Sequence, residues 1–148
     1  MKCLVQRVSR AEVRVDGQVV GAIQRGALVL LGLERGDDAN RVDWYARRIA
    51  AMKLFADEQG TPWVRTLGEV DGGVLVVSQF TLAARTRKGR RPSFDDALAP
   101  AEAEPLYRRF IAGLQAERLI TAEGRFGALM EVELVNDGPV TFLLDGPA

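Results

Sequence analysis

Two short stretches with no polar side chain, Ala27-Leu28-Val29-Leu30-Leu31 and Val74-Leu75-Val76-Val77, most constrain how this chain folds. A strand that is apolar on both faces has to be covered on both. Further strand signals surround them. Residues 3–15 alternate loosely and are rich in valine (Val5, Val8, Val13, Val15). Asp16-Gly17 gives a hairpin signal, and Val19 to Ile23 returns. A strand is expected at 74–80 and a short one at 63–66. Two late strands, Met130 to Val135 and Val140 to Leu144, are separated by Asn136-Asp137-Gly138-Pro139. Asp37-Asp38 can cap a helix from about 39 to 53, with Val42, Tyr45, Ala46, Ile49 and Lys53 on one face. Pro100 suits the first turn of a helix at 100–116, striped by Ala103, Leu106, Tyr107, Phe110, Ile111 and Leu114. The reading is an α+β fold in a single domain over residues 1–148. About seven strands curl into a barrel-like, largely antiparallel sheet, with two main helices outside it.

Composition narrows the chemistry. The 148 residues carry 20 basic and 20 acidic side chains, one cysteine and no histidine. Zero net charge gives the molecule no overall pull on nucleic acid. Cys3 alone cannot form an intramolecular disulfide, and a zinc or iron site would need carboxylates only, so no metal is expected. The opening Met1-Lys2-Cys3-Leu4-Val5-Gln6-Arg7 has no apolar leader. The longest apolar run, Ala27 to Leu33, is too short for a bilayer, so no membrane association and a cytoplasmic location are expected.

Ser78-Gln79-Phe80-Thr81 follows the second apolar run and places two hydroxyls and an amide where a buried strand emerges. A serine or threonine nucleophile usually needs a histidine base, so a Ser-His-Asp hydrolase is excluded by composition. Two readings remain. The segment is a polar cradle whose backbone N–H groups and Gln79 amide stabilise an oxyanion, or it is a strand end whose hydroxyls cap nearby backbone. Asn136 to Pro139 reads first as a hairpin turn, and a cis Gly-Pro bond would make it compact. Arg85, Arg87, Lys88, Arg90 and Arg91 put five cations in seven residues, either as a phosphate-binding loop or as a solvated one. No Gly-rich nucleotide fingerprint occurs.

Four separated motifs carry a resemblance over nearly the whole chain. Ser-Gln-Phe-Thr-Leu at 78–82, Arg-Pro-Ser-Phe at 91–94, Gly-Arg-Phe-Gly-Ala at 124–128 and Asn-Asp-Gly-Pro-Val-Thr at 136–141 resemble the D-aminoacyl-tRNA deacylases, as does Gln6-Arg7-Val8. The resemblance implies a cofactor-free homodimer that hydrolyses the ester between a D-amino acid, or mischarged glycine, and tRNA. It implies that Ser78, Gln79, Phe80 and Thr81 line the catalytic site. Gly138 and Pro139, joined in cis, would reach in from the partner subunit to reject L-amino acids, with Arg7 fixing that turn. Ala103, Phe126 and Met130 would surround the terminal adenosine. Thr61-Pro62-Trp63 departs from the Met-Asn that many relatives carry after the turn at Gly60, and no catalytic role is assigned there. A non-catalytic nucleic-acid-binding dimer and a small structural domain are the competing readings.

Overall fold

The computed structural model describes residues 1–87, 89–144 and 146. Its strands are β1 (Lys2–Val15), β2 (Gln18–Ile23), β3 (Gly26–Gly32), β4 (Lys53–Phe55), β5 (Arg65–Thr66), β6 (Gly73–Ser78), β7 (Ile120–Glu123) and β8 (Glu131–Leu144). Its helices are α1 (Ala39–Ala51) and α2 (Pro100–Ala116). One sheet runs in the order β2-β1-β3-β6-β7, with β8 on the other side of β1, and β4 and β5 form a separate pair. Near Gly21 the β2 edge comes so close to the Glu123 backbone that a Cβ would collide with it, so the sheet nearly closes.

The sheet is mixed, where a largely antiparallel one was expected. β3 pairs with β6, and β6 with β7, in parallel. A parallel pair needs a long crossover, and the segments containing α1 and α2 provide both crossovers. This arrangement explains the all-apolar strands. Ala27, Val29, Leu31, Val74 and Val76 join a core with Val42, Tyr45, Ala46 and Ile49 of α1 and Tyr107, Phe110 and Leu114 of α2. Their neighbours Leu28, Leu75 and Val77 join a second core with Val8, Ala11, Val13 and Ile23 inside the curled sheet. The 3.6-residue stripes of the helices and the period-2 alternation of the strands are thus satisfied on opposite sides of one sheet.

Local chemistry sets the boundaries. Asp16 and Gly17 both have positive φ (52° and 75°) between Val15 and Gln18, the conformation expected for a two-residue hairpin. Asp38 caps α1 by accepting from the Arg41 N–H at 2.8 Å. Asp37 does not cap; with Glu34 it holds the Met1 ammonium at 2.8 and 2.7 Å. α1 ends at Ala51 rather than 53, because Met52 is extended and Lys53 pairs with Thr66 in β4. Only Arg65–Thr66 forms strand within 63–66, and Trp63 takes a positive φ of 62°. The strand expected at 74–80 stops at Ser78, and Phe80–Ala83 forms a 3-10 turn.

The largest departure is at the far end. Asn136 to Pro139 does not connect two strands; it lies inside the single 14-residue β8. Gln6 pairs with Thr141 and Val8 with Asn136, so one residue of β1 faces four of β8. The turn is a bulge carried on the flank of a continuous strand, a place where Pro139 costs no ladder bond. Among the described residues, no helix is long and apolar enough to cross a membrane.

Candidate functional site

β6 delivers Ser78 to one end of the sheet, beside Leu31 of the parallel β3. The chain then leaves the sheet. Gln79 donates its backbone N–H to the Leu31 carbonyl at 2.8 Å, and Leu82 N–H returns to the Gln79 carbonyl at 3.1 Å. Gly32 makes this tight exit fit: a Cβ there would lie 2.9 Å from both Gln79 O and Leu82 Cβ. The Phe80 and Thr81 N–H groups open the 3-10 turn, where no intrahelical acceptor exists, and no acceptor meets them among the described residues. The Gln79 side-chain amide donates to the Thr81 hydroxyl.

This strand end opens onto a cavity of about 640 Å³. Ser78, Gln79 and Phe80 form one side of it, and Ala103, Phe126 and Met130 line it as well. Six of the expected site residues, four of them from two separate motifs together with Ala103 and Met130, therefore share one concave surface. Thr81 lies beside the wall rather than in it.

The cavity has aromatic and aliphatic walls. Tyr107 and Phe126 face each other at 5.5 Å, and the Tyr107 hydroxyl donates to the Val76 carbonyl at 2.9 Å. Phe80 and Phe94 make an edge-to-face pair at 5.1 Å and stay 58% and 37% exposed at the mouth. Leu129, 95% exposed, also lines the cavity. The 94–99 wall is held by Leu98 N–H to Leu33 O at 3.0 Å and by a bridge between Glu34 and Ala97. Tyr107 and Gly32 were not singled out from sequence. Tyr107 falls on the core stripe of α2, and nothing in that periodicity separates a lining residue from packing.

Burial lifts the Tyr107 phenol well above its ordinary range and pushes the Cys3 thiol up to about 12. Neither group supplies an anionic nucleophile at neutral pH. Among the described residues, no group of three or more His, Cys, Asp or Glu is placed to hold a metal ion.

The basic loop is a small hairpin closed by reciprocal backbone bonds between Arg85 and Ser93, at 2.8 and 3.1 Å. Arg85 also grips Asp96 with two N–H groups, so its charge is already paired. Arg87, Arg90 and Arg91 are exposed, and no ion pair engages them among the described residues. Lys88 lies outside the described residues.

Gly138, Pro139 and Arg7 are not in the cavity wall. Val132, which lines it, pairs with Val13, whereas the turn lies opposite Arg7. That separation is roughly 20 Å along β1 at strand rise. The Gly138-Pro139 bond is cis, and both residues are exposed. Arg7 holds the segment before it: Nε donates to the Asp137 carbonyl at 3.1 Å and pairs with its carboxylate at 2.9 Å, while Nη1 donates to Leu54 O at 2.7 Å. Phe55 packs beneath, with the Arg7 and Arg25 guanidinium carbons 6.0 and 4.9 Å from its ring centre.

A family model described as D-Tyr-tRNA(Tyr) deacylase matches residues 4–145. A Geobacter metallireducens protein named D-aminoacyl-tRNA deacylase is 53% identical over 147 residues, covering 99% of this chain and 97% of its own. A protein of the same name from Symbiobacterium thermophilum is 53% identical over 145 residues, covering 98% and 95%. Among solved structures, one described as c-Myc DNA Unwinding Element Binding Protein superposes with a TM-score of 0.92 at 40% identity, covering 100% of both chains. Another, described as a probable eukaryotic D-amino acid tRNA deacylase, has a TM-score of 0.81 at 17% identity over 97% of each, a likeness of fold.

Proposed function

The chain belongs to the D-Tyr-tRNA(Tyr) deacylase family and is a D-aminoacyl-tRNA deacylase, a hydrolase acting in translation quality control, and from that premise we propose how its residues divide the work. The observation that carries the reading is the strand end at Ser78 to Phe80, which brings unpaired backbone N–H groups to the edge of an apolar cavity. The terminal adenosine of the tRNA occupies that cavity between Phe126, Met130 and Ala103. The ester carbonyl then lies against the Phe80 and Thr81 N–H groups, which stabilise the developing oxyanion.

No strong base is needed. An aminoacyl ester is already activated, so positioning and oxyanion donors contribute much of the acceleration. With its hydroxyl bonded to the Gln79 amide, Thr81 orients rather than attacks. The ribose 2′-hydroxyl beside the ester assists.

The enzyme works as a homodimer, and Gly138-Pro139 of the partner subunit completes each site. Neither Gly138 nor Pro139 lines the cavity of its own protomer, which supports a trans arrangement. The turn occupies the volume that an L side chain requires, whereas D-amino acids and glycine leave it free. Rejection by clash does not depend on which D side chain is present, so one pocket serves many substrates. Arg87, Arg90 and Arg91 contact acceptor-stem phosphates, and the protein acts in the cytoplasm.

The test is to incubate the protein with matched D-, L- and glycyl-tRNA and to measure amino-acid release. Fast release of the D residue and glycine, with the L residue retained, is expected. Equal rates for D and L would overturn the chiral assignment.

A further inference from the structure

The bulge in β8 leaves Arg7 opposite the excursion with no register partner of its own, because its neighbours Gln6 and Val8 pair on either side of it. Carbonyls facing such an excursion need donors wherever water is kept from them. Asn136 reaches across it. Its side-chain amide bonds the Arg7 carbonyl at 2.8 Å and the Val140 carbonyl at 3.1 Å. Both amide hydrogens are therefore used, one on the neighbouring strand and one at the far end of the loop. The amide oxygen faces the turn: a Cβ at Gly138 would lie 3.2 Å from it.

From this we infer that Asn136 is a positioning residue for stereochemical selection, setting the width and projection of the Gly138-Pro139 turn by bridging β1 and the far end of the excursion with its side-chain amide. The inference rests on the proposed role of that turn as the element that excludes L-amino acids. Arg7 clamps the segment before the turn through Asp137, and Asn136 ties its two ends together. A clash filter works only if the blocking group stays put. A turn free to move by an ångström would admit the side chain it should exclude.

Two variants separate this role from simple space filling. Asn136→Asp keeps the shape but replaces two donors with oxygens that face two carbonyls. Asn136→Ala removes shape and donors together. A donor role makes Asp at least as harmful as Ala, whereas a packing role leaves Asp close to wild type. The D-to-L ratio of kcat/KM is measured on the dimeric fraction with matched aminoacyl-tRNAs. Both variants are expected to lower it by about tenfold or more, the scale of losing two neutral hydrogen bonds. A wild-type ratio in Asn136→Asp overturns the inference, and if that variant does not fold, a wild-type ratio in Asn136→Ala does so. Amide hydrogen exchange gives a reading independent of substrate. The two Asn136 side-chain amide hydrogens, each bonded to a carbonyl, are expected to exchange more slowly in the wild-type protein than those of a free asparagine, and unprotected exchange overturns the inference even if the wild-type enzyme shows no chiral preference. Loss of preference in the wild type would instead sink the proposed function alone.

Discussion

At the scale of single residues, the site depends on absences as much as on functional groups. Gly32 carries no side chain where the chain turns out of the sheet, and the 79–82 segment packs into that space. Gly32→Ala is expected to push the turn outward, costing about 1–3 kcal/mol. It should also lower kcat by more than the loss of folded protein explains. Thermal melts and steady-state deacylation on one sample check this, and unchanged kcat would remove Gly32 from the site's support. Tyr107 makes a useful contrast. Its hydroxyl bonds Val76 O, yet that carbonyl also accepts from the Gly124 N–H at 2.9 Å. Tyr107→Phe therefore strands no buried group and should cost only about 0.5–1.5 kcal/mol in denaturant titration.

At the scale of elements, the 85–93 hairpin separates its arginines by task. Arg85 is committed to Asp96, so it closes the loop, while Arg87, Arg90 and Arg91 face solvent. Replacing those three with alanine should weaken tRNA binding similarly for all tRNAs and flatten the salt dependence, by about one unit of log–log slope per lost phosphate contact. Arg85→Ala should disorder the loop and change the slope less. Binding titrations at several salt concentrations distinguish them. This division was not legible in the sequence, where the cations form one undifferentiated run and Asp96 is merely a nearby acid. The strands and helices were legible where one period dominates, as in the α2 stripe, the Asp16-Gly17 hairpin and the two apolar runs. Reading failed where tertiary pairing decides. Asn136 to Pro139 has turn chemistry, and only its pairing with β1 reveals a bulge inside one strand. The parallel pairing of β3 with β6 was likewise invisible, since a buried run looks the same in either direction. Six of the expected residues line the cavity, and they were expected from the family resemblance, not because their spacing revealed a cavity.

At the scale of the whole molecule, stability rests on two apolar layers sharing one sheet, and its charges lie largely outside them. Hydrogen bonds from Arg109 to Asp43, Thr66 to Glu69 and Arg10 to Glu133 hold these carboxyls below their ordinary values of 3.8, 4.5 and 4.5. A carboxyl with a lowered folded pKa stabilises the fold above its unfolded pKa, and that contribution is lost as pH falls through the folded value. The melting temperature should thus decline gradually below about pH 4.5, and added salt should shrink the decline, because these groups are exposed. Scanning calorimetry across pH at two ionic strengths tests this. The proposed trans arrangement makes its own prediction. A Gln79→Ala variant mixed with one lacking Gly138-Pro139 should form heterodimers with one native site, recovering selective activity on about a quarter of the sites after random exchange. No recovery would place both elements in the same protomer's site. β8 carries one wall of the cavity, at Val132, and the turn proposed to exclude L-amino acids, at Gly138-Pro139. An esterase without its filter would strip the correctly charged tRNAs that a ribosome consumes. Because wall and filter are written into one strand, made after every element it pairs with, a chain cut short before β8 lacks both together. The truncation that would remove the selectivity also dismantles the catalyst.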